Sequence, residues 1–318
     1  MMFAGKEASV QAILENVVHI FGGSSREKLG ARNLEQGEVA NLFQVTEGFW
    51  MDQDSPLLFH VGWASKNRYG LFASEEYERH AKEVAKALEK GLPDVPYGEH
   101  DANASLFKTH VGPPITNCWP RWEEKMKLEV LDPLDNWREL RVATVYEIME
   151  DGYLKIVFDG EEMEEDPVPL HYSSELLFPV GYAEKHGLRL KGPTGAQVFQ
   201  WEAYLKQSQS VAAPESLFEN FSEDVLSNFK IGAKLEAVDL CEPNLICTAT
   251  VAAHHGRILE IEYDGWDSSF NQLFDYKSAN IFPIGWCEMH GYKLEAPKVP
   301  TRQRKGKTKK SFDMGDKN

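Results

Sequence analysis

Ala233-Lys234-Leu235-Glu236-Ala237-Val238-Asp239 opens the stretch that decides the fold, and Phe282-Pro283-Ile284-Gly285-Trp286 closes it. Between them lie Cys247-Thr248-Ala249-Thr250-Val251 and Tyr263-Asp264-Gly265. Each of the four has a forerunner, in the same order. These are Met126-Lys127-Leu128-Glu129-Val130-Leu131-Asp132, Arg141-Val142-Ala143-Thr144-Val145, Phe158-Asp159-Gly160 and Phe178-Pro179-Val180-Gly181-Tyr182. The offset drifts only from 107 to 104 residues along the series, which marks an internal duplication. The last motif occurs a third time, as Phe59-His60-Val61-Gly62-Trp63 preceded by Phe49-Trp50. Upstream, Gln11–Val18 and Phe21-Gly22-Gly23 read as two strands joined by a turn, with no Lys-Leu-Glu strand before them. The first unit is incomplete or diverged.

Within the last unit, Lys234–Val238, Ile246–Ala252, Leu259–Tyr263 and the stretch around Ile281–Ile284 are short, β-branched or alternating. Asn/Pro, His-Gly and Asp-Gly turns bound them. They predict a small antiparallel barrel of about five strands, with a Tudor- or SH3-like core. Between cores the pattern changes. Ser74 followed by Glu75 and Glu76 predicts a helix start, and Gly91 its stop. Tyr77, Ala81, Val84, Ala85 and Leu88 then fall on one helical face. Asp101–Phe107 and Trp201–Phe218 mix apolar anchors with polar and loop-forming residues, and read as arms that pack on a neighbouring core. Pro193 and Gly195 mark a boundary. The predicted division is a partial unit over 10–73, arm plus unit over 74–193, arm plus unit over 194–298, and a tail over 299–318.

Charge separates the tail from the rest. The 318 residues carry 34 basic and 50 acidic side chains, a formal net charge of -16. Residues 301–318 hold seven Lys/Arg against two Asp, so this tail is +5 and the remainder -21. Its composition predicts disorder, and the cluster Arg302, Arg304, Lys305, Lys307, Lys309 and Lys310 reads as a nuclear-localisation or nucleic-acid patch. The acidic remainder disfavours gripping phosphate backbones and suits basic partners. The hydrophobic share of 42% and charged share of 26% suit a globular chain. No run of about 18 apolar residues or signal peptide is visible, which predicts neither a membrane span nor secretion. Cys118, Cys241, Cys247 and Cys287 are too few and too irregularly spaced for a disulfide framework or a zinc knuckle, and predict a reducing compartment.

The order KLEAVD, ICTATV, IEYDGWDSSF and IFPIGWCEMHGYKLEAP, with WEAYL…APESLF before it, resembles a malignant brain tumor (MBT) repeat. The resemblance is most specific over 199–297, clear over 101–193 and partial over 10–73. It is closest to the final repeats of four-repeat proteins, so it implies that this chain lacks the first repeat and the opening strand of the second, as a shortened paralogue, an isoform or a truncated gene model would. It further implies a mainly β chain of tandem MBT repeats in the nucleus. The expected role is a chromatin-associated reader of mono- or dimethylated lysine on histone H3 or H4 tails, contributing to transcriptional repression.

Such a pocket needs aromatic faces around the methylammonium, a carboxylate for the N–H that mono- and dimethyllysine keep, and a narrow cavity. The resemblance places the cage of the last unit on Tyr263, Trp266 and Phe270, the acid on Asp239 and the small wall residue on Cys247. Phe270 stands where the family commonly has Tyr, which keeps the ring face and loses a hydroxyl. Glu242 stands where many members have Asn. An arbitrary aromatic trio would more often be core, but this one sits among Asp264, Gly265, Asp267, Ser268 and Ser269. In the middle unit Phe158 and Asp132 persist, while Glu161 replaces the tryptophan in a loop running to Asp166 and Pro167 without rings. That unit reads as structural, and Phe49, Trp50 and Trp63 of the first as packing residues.

Catalysis is not expected. His254-His255 reads as a turn-like pair without ligand spacing, and Cys247 and Cys287 read as small hydrophobes on strands. No cofactor or metal is implied. Two rival readings remain: a non-reading scaffold for protein partners in a chromatin repressor complex, and weak nucleic-acid contact by the basic tail.

Overall fold

The computed structural model describes residues 55–297 except 56, 72, 108–120, 134–136, 150, 151, 161–166, 194–198, 219 and 220. The readings of residues 10–54 (Phe49 and Trp50 among them), Cys118, Glu161–Asp166, Gly195 and the tail lie outside the described residues.

Two six-stranded sheets with one topology follow from the duplication. The first contains β1 (Lys127–Leu131), β2 (Leu140–Ile148), β3 (Tyr153–Phe158), β4 (Val168–His171), β5 (Leu177–Phe178) and β6 (Leu190–Lys191), and the second β7 (Lys234–Val238), β8 (Ile246–His255), β9 (Ile258–Tyr263), β10 (Gln272–Asp275), β11 (Ile281–Phe282) and β12 (Leu294–Glu295). The order β4-β3-β2-β1-β5 is repeated as β10-β9-β8-β7-β11, and β6 and β12 pair in parallel with the starts of β2 and β8. Even the irregularity is copied: the register shifts between Val145 and Glu147 and again between Val251 and Ala253. Such bulges bend a long strand, letting one edge serve two partners in turn. The chain is mainly β, with MBT-like cores.

Each sheet is joined to a short helix by one buried carboxylate. Gly181 and Gly285 have φ of +87° and +89°, a conformation that favours glycine. They turn the chain into α3 (Tyr182–His186) and α5 (Trp286–His290). Glu129 on β1 accepts hydrogen bonds from the Gly181 and Ala183 amides at 2.7 Å, and Glu236 on β7 does the same for Gly285 and Cys287 at 2.7 and 2.8 Å. The two motifs that define the repeat in sequence are thus hydrogen-bonded to each other. Cys287 lies on α5 rather than on a strand, because this turn starts the helix one residue before it.

The expected helix is present as α2 (Glu75–Glu89), with Ser74 accepting the Tyr77 amide as its cap. It packs Ala81 and Val84 against Val61, under α1 (Trp63–Lys66). Close approach fixes the residue at this crossing: a Cβ on Gly62 would meet the Ala85 nitrogen and Val84 Cγ1 at 3.0 Å.

The 201–218 arm docks on the middle sheet as its composition predicted. Within α4 (Trp201–Ser208), the Trp201 indole N–H donates to Glu129 at 2.7 Å and the Tyr204 hydroxyl to Asp159 at 2.7 Å. Further along, Val211 and Ala213 exchange backbone hydrogen bonds with Lys127. Under this cover burial dominates, and the Glu129 carboxyl is pushed up from its ordinary 4.5. At Glu236 burial also pushes upward, but the Cys287 and Gly285 amides outweigh it and the carboxyl sits low.

The hairpin tip of the last unit presses on the middle one. His254-His255 is not a turn: both residues extend β8, pairing with Leu259 and Ile258, and the turn falls at Gly256 and Arg257. Gly256 has φ +62°, and a Cβ there would lie 2.5 Å from the Tyr182 hydroxyl oxygen. That hydroxyl donates to the His255 carbonyl and accepts from the Arg257 amide, both at 2.8 Å. The Arg257 guanidinium donates to the Leu177 carbonyl at 2.6 Å, lies 4.2 Å above the Phe178 ring and pairs with Asp275 at 2.9 Å.

Two outcomes are expected. Glu129→Ala strands three donors and should lower stability in urea unfolding by about 3 kcal/mol or more; a loss below about 0.5 kcal/mol would contradict the capping role. Half-buried Glu175, beside Asp275, has its carboxyl raised from 4.5 to about 7, first by burial and then by the Asp275 charge. The folded state therefore holds a proton that the unfolded chain releases, and this contribution is present below about pH 4.5 and lost as pH rises to about 7. The Tm should fall across that window, with a shallower fall in Glu175→Gln.

Candidate functional site

The open end of the last sheet gathers the five predicted residues, though not on equal terms. Asp239 follows the last residue of β7, and Cys241 donates its amide to Asp239 Oδ1 at 2.9 Å, a local turn that fixes the carboxylate. Cys247 is the second residue of β8, buried and facing Ala237 and Glu295 on its two neighbours. Tyr263 ends β9, buried opposite Ala249. Trp266 sits in the turn beyond, its amide donating to the Tyr263 carbonyl at 3.1 Å, and packs half-buried on the cluster containing Cys247 and Tyr263. Phe270 closes the short turn Ser268–Phe270, which Asp267 caps by accepting the Ser269 amide. That hydrogen bond holds the Asp267 carboxyl below its ordinary range.

Trp266 and Phe270 form an edge-to-face pair, ring centroids 5.3 Å apart and planes at 65°. Such a pair presents two faces at a fixed angle. Phe270 is 53% exposed, whereas Tyr263 is only 3% exposed. Tyr263 is therefore buried beneath the surface that Phe270 reaches. Its hydroxyl lies 2.7 Å from the Val238 carbonyl and 2.6 Å from Gln272 Oε1, and its one proton serves one of them at a time.

Gln272 was not legible as a site residue. It is the first residue of β10 and buried, and its amide nitrogen donates to Asp239 Oδ1 at 2.8 Å. Its oxygen accepts from the Leu240 amide at 2.9 Å as well as facing Tyr263. One amide therefore holds both the acid and the buried tyrosine. The only sequence signal was a large polar residue next to Leu273 and Phe274, and β10 itself had not been predicted.

The acid charges its surroundings. The Tyr263 phenol is held well above its ordinary 10, first by burial and then by Asp239. Burial, then Asp239, Glu295 and Glu242, push the Cys247 thiol up to about 11. Cys247 is thus held as a neutral thiol. Among the described residues, Asp239 has no cationic side chain paired with it. A carboxylate, a neutral thiol and aromatic rings thus lie together at this end of the sheet.

Comparison with known proteins bears on these groups. Residues 8–78, 126–197 and 233–301 each match the family description "mbt repeat". Protein lin-61 of Caenorhabditis elegans is 38% identical over 262 residues, covering 81% of this chain and 42% of that protein. MBT domain-containing protein 1 of Homo sapiens is 36% identical over 257 residues, 79% of this chain and 37% of its own length. Polycomb protein Sfmbt of Drosophila melanogaster is 34% identical over 266 residues, 80% and 21% respectively. The chain thus spans less than half the length of these relatives. A crystal structure of the four MBT repeats of Drosophila melanogaster Sfmbt, in complex with a peptide containing a methylated lysine (RHR(me)KVLR), superposes with a TM-score of 0.66 at 33% identity, covering 80% of this chain and 58% of that one.

Gln272→Ala frees both Asp239 and Tyr263 without removing either. We expect a stability loss of about 1–3 kcal/mol in urea unfolding, from the stranded Leu240 amide, since the Tyr263 hydroxyl keeps the Val238 carbonyl. An unchanged midpoint would show that the amide bridge carries no weight.

Proposed function

Because this chain belongs to the MBT-repeat family, we propose that its last repeat reads mono- or dimethylated lysine on histone tails, with Asp239 as the acceptor and Trp266, Phe270 and Tyr263 as the cage around Cys247. The observation that carries this reading is the Gln272 bridge. It holds Asp239 by Oδ1 alone, so Oδ2 is the oxygen left to accept the methylammonium N–H. A charge-assisted hydrogen bond of that kind rewards mono- and dimethyllysine and gives trimethyllysine nothing. The Trp266–Phe270 corner supplies ring faces whose attraction for a cation runs from about 0.5 to 2 kcal/mol. Unmodified lysine carries a smaller, more strongly hydrated ammonium, and loses more on leaving water.

The acidity of the chain outside its tail suits a basic histone segment and a fast, salt-sensitive encounter. The Sfmbt repeats bind a methylated-lysine peptide, and transfer of that property to the last repeat here is part of the proposal. So are a nuclear location, a role in transcriptional repression, and the division into units at 10–73, 74–193 and 194–298 with a tail at 299–318. No enzymatic step is needed to account for any of these groups.

A second reading, a scaffold for proteins of a repressor complex, is favoured by one observation. Ile284 and Met289, flanking the Gly285 turn, are 72% and 75% exposed. The two readings separate cleanly, because a scaffold tolerates loss of Asp239.

Titration of H3- and H4-derived peptides carrying zero to three methyl groups, followed by fluorescence anisotropy, tests the reader. Wild type should prefer mono- and dimethyllysine, and Asp239→Asn or Trp266→Ala should each weaken binding about tenfold or more. Equal affinity for unmodified lysine, or unchanged curves in both variants, would reject the cage. Deletion of 301–318 should leave these curves intact while abolishing any salt-dependent nucleic-acid binding.

A further inference from the structure

The middle repeat carries Asp132, Arg141 and Phe158 at the positions that hold Asp239, Cys247 and Tyr263 in the last. Strand pairing fixes the correspondence without reference to residue type. Arg141 faces Val130 on β1 and Lys191 on β6, as Cys247 faces Ala237 on β7 and Glu295 on β12. Phe158 ends β3 opposite Ala143, as Tyr263 ends β9 opposite Ala249. Asp132 follows β1 as Asp239 follows β7. The small Cys247 of the last repeat is therefore replaced by the longest cationic side chain available.

That side chain turns into the site. Arg141 Nη1 lies 2.5 Å from Asp132 Oδ2, and its guanidinium carbon lies 4.3 Å above the centre of the Phe158 ring. Asp132, Arg141 and Phe158 are 1%, 5% and 5% exposed. A cation flat on an aromatic face, with a carboxylate on its donor edge, is the arrangement that a bound alkylated cation would adopt. A third change agrees. Gln272 faces Ile261, and the residue facing the corresponding Ile156 is Val168, which has no amide to hold an acid. The buried acid of the middle repeat accepts from Arg141.

We infer that Arg141 is a built-in ligand: the middle repeat retains a guanidinium-class cation site, occupied by the chain's own side chain. A buried carboxylate must be paired, so a pocket that lost its exchangeable ligand would keep its acid only by gaining an internal cation. Arg141 fills the space that an external side chain would need, in a repeat whose loop also lacks the counterparts of Trp266 and Phe270. The correspondence with the last repeat is one of strand register, so the inference stands whether or not the last repeat reads methyl-lysine.

Chemical rescue tests it. Arg141→Ala in the full chain leaves Asp132 and Phe158 facing a vacated site. Thermal unfolding is followed with methylguanidinium chloride and with sodium chloride at equal ionic strength. Methylguanidinium should raise the Tm of Arg141→Ala by about 2–4 °C over the sodium control. Wild type, whose site is filled, and Asp132→Asn combined with Arg141→Ala, whose site lacks its acid, should show no such rise. A shift in Arg141→Ala no larger than in wild type, or equal in the double variant, would overturn the inference. Should Arg141→Ala not fold in plain buffer, the readout becomes refolding yield. A yield that rises only with methylguanidinium, and only with Asp132 intact, supports the built-in ligand; no rise overturns it.

Discussion

Everything in each repeat depends on a glutamate that should be costly to bury. Glu129 and Glu236 stand on the first strands of their sheets, 0% and 3% exposed, where an ionised carboxylate survives only if fully hydrogen-bonded. The partners are the two amides at the start of the short helix that follows the Phe-Pro-x-Gly turn. These amides have no intrahelical acceptor, so each group satisfies the other's deficit. The bond ties the first strand to the turn and short helix that follow the fifth, about 50 residues along the chain. A glutamine could accept one of those hydrogen bonds but not both with equal strength.

On that shared frame the two described repeats resolve the same electrostatic problem differently. Each has an aspartate just beyond its first strand, near an aromatic residue that ends its third. In the last repeat the acid is half-buried, held by the Gln272 amide and the Cys241 amide beside a small neutral thiol, and faces solvent without an internal cation among the described residues. In the middle repeat the acid is fully buried and carries its own arginine. Repeat contacts follow a similar economy: Tyr182 and Arg257 lock the Gly256 hairpin of one unit to the turn of the other through the His255 and Leu177 carbonyls and the Arg257 amide.

Much of the architecture was legible because it is local. Short β-branched or alternating segments marked β7, β8, β9 and β11, the duplication carried that reading to the middle unit, and Ser74 with its acidic first turn marked α2. The strands that escaped notice are short or unpatterned. Gln272–Asp275 is buried at every position, so no alternation betrays it, and Leu294–Glu295 is too short to carry a signal. His254-His255 looked like a turn because two histidines precede a glycine. The bulge after Val251 shifts the register, which lets the strand run on to His255. Cys287 was misplaced because its strand-like neighbours end at a positive-φ glycine, a backbone state that residue pattern does not display.

By itself, the sequence determined the repeat, its family, its strand-rich character and the residue types available for a cation site, since all of these lie in contiguous motifs. The tertiary structure alone decided how those residues are used. It placed Gln272 between Asp239 and Tyr263, buried Tyr263 while leaving Phe270 exposed, and turned Arg141 onto Phe158 and Asp132. The reason is physical. Periodicity encodes which face of a strand a residue occupies, but a buried charge takes whichever partner the folded sheets bring within hydrogen-bond reach, and that partner can be 33 residues away.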